Sequence, residues 1–95
     1  MRVRFVDPDL IDGYAALHRL TAAGRDLGIP WNEIWIAEDL EEIAEVLVFH
    51  ETVEYQMRKR GMQHAASHNR AMGLERERFE GTAVYRRAKQ LLKNR

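Results

Sequence analysis

The chain has 95 residues, 45% of them apolar, with fifteen basic side chains against fifteen acidic ones and no cysteine. That size and composition predict a single domain, 1–95, built around one core, and argue against disorder. The balanced charge gives no overall bias towards nucleic acid or anionic lipid, and the missing cysteines exclude disulfides and thiolate metal sites, leaving His, Asp and Glu as the strong ligands.

Met1-Arg2-Val3-Arg4-Phe5 enters directly into a strand-like alternation, without an apolar signal region, and residues 3–6 predict a short strand closed by Asp7-Pro8. No apolar run reaches the ~18 residues of a membrane span, so the expectation is a cytoplasmic protein with no membrane partner. Asp9 offers an N-cap for a helix over roughly 10–27, with Leu10, Tyr14, Leu17 and Thr21 as its stripe and Gly28-Ile29-Pro30 as its terminator. Gly13 and Gly24 weaken that helix, and His18 on it is expected to be solvated. Glu33-Ile34-Trp35-Ile36-Ala37 is β-branched and aromatic and predicts the strongest strand, with Trp31 and Trp35 as packing residues.

Asp39 can cap a central helix that carries Glu41 and Glu42 in its first turn and runs to about Arg60, with Arg58, Lys59 and Gly61 suited to its end. A second long helix is predicted over 63–79, antiparallel to the first across the short turn at Gly61. Gly81-Thr82 breaks the chain, and a last helix over 83–93 buries Val84, Ala88 and Leu91 or Leu92. The predicted fold class is therefore α+β and mostly helical: about four helices and two short strands that can pair with each other. Met57, Met62 and Met72 are expected to fill the core.

Chemistry concentrates in the central helix. Its apolar stripe runs Ile43, Val46, Leu47, His50, Val53, Met57, so His50 lies on the inward face. Glu54 follows one turn later, about 40° away around the helix, and Glu51 sits about 100° from His50, beside that face. An ionised group turned inward needs a partner or a metal. On the next helix His64, His68, Ala71 and Glu75 share a face, and the small Ala71 would let the two helices approach closely. His50, Glu54, His68 and Glu75 are therefore candidate ligands, with His64 in reserve, and Glu51 is placed to act on a metal-bound water as general base. The residues alone admit a second reading, a buried imidazole–carboxylate network that locks the hairpin without a metal.

The stretch IWIAEDLEEIAEVLVFHETVEY resembles the core of zincin metallopeptidases, a strand followed by a helix with V-L-x-H-E-x-x-[HE]. Residues 34–76 also resemble small, mostly uncharacterised bacterial and phage-associated proteins carrying H-E-x-x-E, a turn glycine, and A-H-x-x-A-x-x-x-E. The matching positions are His50, Glu51, Glu54, Gly61, His68, Ala71 and Glu75; Ser67 departs from the pattern, and His64 stands where an aromatic is usual. The resemblance implies a minimal zincin-like fold binding Zn2+ through His50, Glu54 and His68. Glu51 would be the catalytic base, and Glu75 a supporting partner or alternative ligand. Glu54 in place of the second helix histidine adds negative charge and should weaken the metal as a Lewis acid.

The implied substrate is a peptide or protein, held along the edge of the Ile34–Ala37 strand. Little else in the chain is evident to form the opposite wall of a cleft, so an oligomer or a protein partner could complete it. The rival function is a non-catalytic structural or interaction domain. The basic segment over 85–95 reads as a solvated helix face rather than a nucleic-acid site.

Overall fold

The structure, a computed structural model, describes residues 1–93 and 95. Strand β3 (Glu33–Ala37) is the centre of a three-stranded sheet of order β1-β3-β2. It pairs in parallel with β1 (Arg2–Val6), from Arg2 opposite Glu33 to Val6 opposite Ala37. On its other side it pairs antiparallel with β2 (Ala16–His18), Ala16 opposite Ile36 and His18 opposite Ile34. The expected strands are thus present and paired with each other. Because both edges of β3 are occupied, the Ile34–Ala37 strand offers no free edge to a substrate. The lateral strand that carries a residue of the polar cluster described below is β2, within the stretch expected to be helical.

The predicted helix over 10–27 is replaced by a 3₁₀ turn at Pro8–Ile11, by β2, and by the short helix α1 (Ala22–Asp26). Asp7, not Asp9, caps the 3₁₀ turn, accepting the Asp9 N–H at 2.8 Å. Thr21, expected on an apolar stripe, is instead the N-cap of α1 and accepts the Gly24 N–H at 2.9 Å. Gly24 is needed where it stands: a Cβ there would lie 1.9 Å from the His18 carbonyl oxygen. Loss of the side chain at that position is what lets α1 lie directly against β2.

Helices α2 (Ala44–Lys59) and α3 (His64–Phe79) form the expected antiparallel pair, joined at Gly61, whose φ of 97° supplies the left-handed cap. Residues Glu38–Ile43 form a 3₁₀ segment instead of the first turn of α2, and Asp39 caps nothing; its carboxylate accepts from Arg95 at 2.8 Å. Helix α4 (Ala83–Leu92) begins at Thr82, whose hydroxyl accepts the Tyr85 N–H. Among the described residues there are four α-helices beside the sheet, and none is long and apolar enough to cross a membrane.

Ile34 and Ile36, both fully buried, share one apolar cluster with Ile11, Leu40, Ile43, Val46, Phe79 and Ala88. Alternation along β3 sends Trp35 to the other face, where Arg4 lies 5.5 Å from its ring. Trp31, Met62 and Met72, expected in the core, are largely exposed. The acidic 3₁₀ segment pairs with the basic end of the chain, Arg87 with Glu42 at 3.1 Å and Arg95 with Asp39, which gives those cations a structural role.

Candidate metal centre

Strand alternation also aims a polar group at α2. Cross-strand partners point the same way, so Ala16 and His18 lie on the same sheet face as Ile36 and Ile34. His18 is completely buried there, not solvated as expected. Opposite it, α2 presents Glu54, one turn beyond His50, and Glu51 beside them; both carboxylates are buried. The buried side of α2 therefore turns from Val46 and Leu47 towards Glu51 and Glu54, and His50, Val53 and Met57 stay partly exposed. Ala71 has no exposed surface, as the close approach of α3 requires, and one turn earlier α3 brings in His68.

The Glu54 carboxylate is the hub. Its Oε1 lies 3.0 Å from His18 Nε2, and its Oε2 lies 3.3 Å from His50 Nε2 and 3.2 Å from His68 Nδ1. His50 is held from behind, its Nδ1 3.0 Å from Glu75 Oε1. Ligand atoms of His50, Glu54 and His68 all lie within 4.8 Å of one another, and so do those of His18, Glu51 and Glu54. Glu51 Oε2 is buried with no hydrogen-bond partner, 3.6 Å from His18 Nε2.

The two groups differ in which lone pairs are free. The Leu20 N–H donates to His18 Nδ1 at 3.1 Å, so Nδ1 is an acceptor and the proton of the neutral ring sits on Nε2, where it is donated to Glu54. His18 has no lone pair to offer a cation on that side. His50 is different: with Nδ1–H on Glu75, its Nε2 lone pair points at the cluster, the usual carboxylate–histidine–metal arrangement. The half-exposed His68 can likewise turn an Nδ1 lone pair inward while Nε2–H meets solvent. The donor set that fits a divalent ion is therefore His50, Glu54 and His68. Glu75 lies behind His50 and supports it.

Within the cluster the carboxylates and imidazoles shift one another's affinity for protons. Burial opposes charge on His50, but hydrogen bonds to Glu54 and Glu75 and the charge of Glu51 more than reverse this and push it up to about 10. Burial would raise Glu54, yet hydrogen bonds from His18, His50 and His68 hold it well below the carboxylate range. Glu51 is pushed up to about 8, first by burial and then by the charge of Glu54, with His50 opposing. Burial and the neighbouring Glu75 carboxylate raise the Tyr85 hydroxyl.

Two cavities meet at the cluster. One, of about 390 Å³, is lined by Val46, Leu47, Met72, Tyr85 and Leu92 with His50, Glu51, His68 and Glu75 at its polar end. Helix α4 supplies Tyr85, Ala88, Lys89 and Leu92 to its wall. The other, of about 300 Å³, runs under α1 past Thr21 to Glu51, Glu54 and His64.

All four candidate ligands and Glu51 fall in one place. His64 does not join them; it is exposed and stacks on His68 with ring centroids 6.1 Å apart. The residue missed from sequence is His18. The available signals were the breaks on either side, the Asp12-Gly13 turn and the cap-forming Thr21, with a run between them too short to show alternation. No family model, no curated protein and no solved structure matches this chain.

Proposed function

We propose that the protein binds a divalent metal, most readily zinc, through His50, Glu54 and His68, and that it is a zincin-like hydrolase of peptide bonds. The observation that carries this reading is the convergence of three ligand atoms within 4.8 Å, with the far nitrogen of His50 fixed on Glu75. Two imidazoles and one carboxylate are a normal catalytic zinc set that leaves a position for water. The helix H-E-x-x-E and the following A-x-x-x-E support the same reading by their resemblance to zincins and to small bacterial and phage-associated proteins.

A divalent ion bound there supplies a Lewis acid and makes a water molecule more acidic near neutral pH. Glu51 lies beside the cluster with Oε2 buried and free of any hydrogen bond. It takes the proton from the attacking water and returns it to the leaving group. Glu75 keeps His50 in the tautomer that binds, and Glu54 neutralises charge. Beside them the apolar cavity walled by Val46, Leu47, Tyr85 and Leu92 accepts a large apolar side chain of the substrate. Ala15 and Ala16, at the edge of the sheet, line the same cavity and lie where a peptide would run.

The test is metal content by plasma mass spectrometry on untagged protein, followed by turnover of a peptide library. One zinc per chain, lost in His50→Ala, and hydrolysis abolished in a metal-loaded Glu51→Gln variant are the expected results. No metal in the wild type, even after zinc is added back, would return the cluster to a polar lock of the hairpin. A metal-loaded protein whose hydrolysis is indifferent to Glu51→Gln would remove the base.

A further inference from the structure

We propose that His18 is a positioning residue of the metal centre, holding Glu54 so that only Oε2 faces the ion. The inference rests on the assignment of His50, Glu54 and His68 as ligands and deepens it.

Three contacts fix the imidazole, and others hold its backbone. Its Nδ1 accepts the Leu20 N–H at 3.1 Å, which sets the tautomer. Its Nε2–H reaches Glu54 Oε1 at 3.0 Å. The edge of the ring abuts Tyr55, centroids 5.6 Å apart and planes at 88°. Its backbone is clamped between the β3 ladder and α1, with the Thr21 hydroxyl donating to its carbonyl at 2.9 Å and Gly24 packed against it.

The two oxygens of Glu54 therefore have separate duties. Oε1 is engaged by a buried donor that cannot turn, and Oε2 stands between His50 and His68. A carboxylate held this way binds an ion through one oxygen and cannot swing to chelate with two. Glu51 keeps its freedom for the same reason: the single Nε2–H goes to Glu54, and Glu51 Oε2 at 3.6 Å is left without a bond. His18 separates ligand from base, and it does so from the strand that borders the substrate cavity.

Zinc affinity of the full chain, wild type beside His18→Leu and His18→Gln, tests the idea, with thermal melts to establish folding. Removing the donor in His18→Leu should weaken zinc binding about 10–100-fold, the usual cost of losing an outer hydrogen bond at a metal ligand. The amide N–H of Gln should restore most of it, a rescue that packing alone does not predict. Unchanged affinity in a folded His18→Leu protein overturns the inference while leaving the ligand assignment intact; a wild type that takes up no zinc overturns both.

Should His18→Leu fail to fold, nitrogen NMR of the wild-type imidazole rings decides. The expected spectrum shows His18 protonated on Nε2 and unprotonated on Nδ1, before and after zinc is added. Direct coordination of zinc by His18 Nε2 would overturn the inference and make His18, Glu51 and Glu54 the ion site.

Discussion

In its N-terminal half α2 buries Val46 and Leu47 in the apolar cluster with Leu40, Ile43 and Phe79, whereas one turn later the same helix buries Glu51 and Glu54. Both halves remove side chains from water, but the free energies behave differently. Apolar burial is favourable whatever the pH or ion content. Buried carboxylates cost stability until something positive meets them, and here three imidazoles surround Glu54. The apolar half holds the fold, and the stability of the polar half depends on the charge its imidazoles and carboxylates carry. Glu51 Oε2, buried and unpartnered, is where that dependence is most exposed.

The sharpest contrast comes from truncating each half. Ile36→Ala, at a site with no exposed surface, should cost about 2–5 kcal/mol in urea melts, by the same amount with and without zinc. Glu54→Ala should cost about 3 kcal/mol in the metal-free protein, because it leaves His18 without its acceptor and removes the partner of a charged His50. It should also abolish the stabilisation zinc brings. Equal melts with and without zinc for both wild type and Glu54→Ala would erase the distinction between the halves.

Glu51→Gln should act in the opposite direction. The folded-state value of Glu51, about 8, lies above the ordinary 4.5, so the folded protein holds that proton more tightly than the unfolded chain. Its stabilising contribution is whole below pH 4.5 and disappears as pH climbs to about 8. His50, raised from 6.5 to about 10, adds a second loss over that higher window. The Gln variant escapes the first loss, so metal-free Glu51→Gln should be more stable than wild type at pH 8–9 by about 1–2 kcal/mol. The gap should close towards pH 5, and denaturation at a series of pH values measures it. A constant gap would mean that packing, not ionisation, controls the site.

The smallest effect should come from the surface pair at the far end of the core. Arg87→Ala removes a half-exposed contact to Glu42 and should change stability by less than about 1 kcal/mol, an effect that fades in high salt. A larger loss would show that the charge pairing of the chain end carries part of the fold.

Local chemistry in the sequence determined much of this protein. Helix-period spacing in two successive segments and a glycine turn between them pointed to the α2–α3 hairpin, Thr82 set the start of α4, and β-branched residues made β3. Since residues one turn apart on a helix share a face, His50 and Glu54 could be paired without knowing the fold, and Ala71 marked where α3 would approach. Residues 10–27 could not be read this way: three residues are too few to show a strand's alternation, and two glycines inside an apolar stripe resemble a weakened helix. Only the tertiary structure decided that β2 pairs with β3, which sends His18 towards Glu54 across 36 residues of chain. It also decided which carboxylate contacts which imidazole, Glu75 supporting His50 while Glu54 gathers three rings. Those choices depend on strand register and on the closeness of two helices, and both are set by packing between segments rather than by preferences within them.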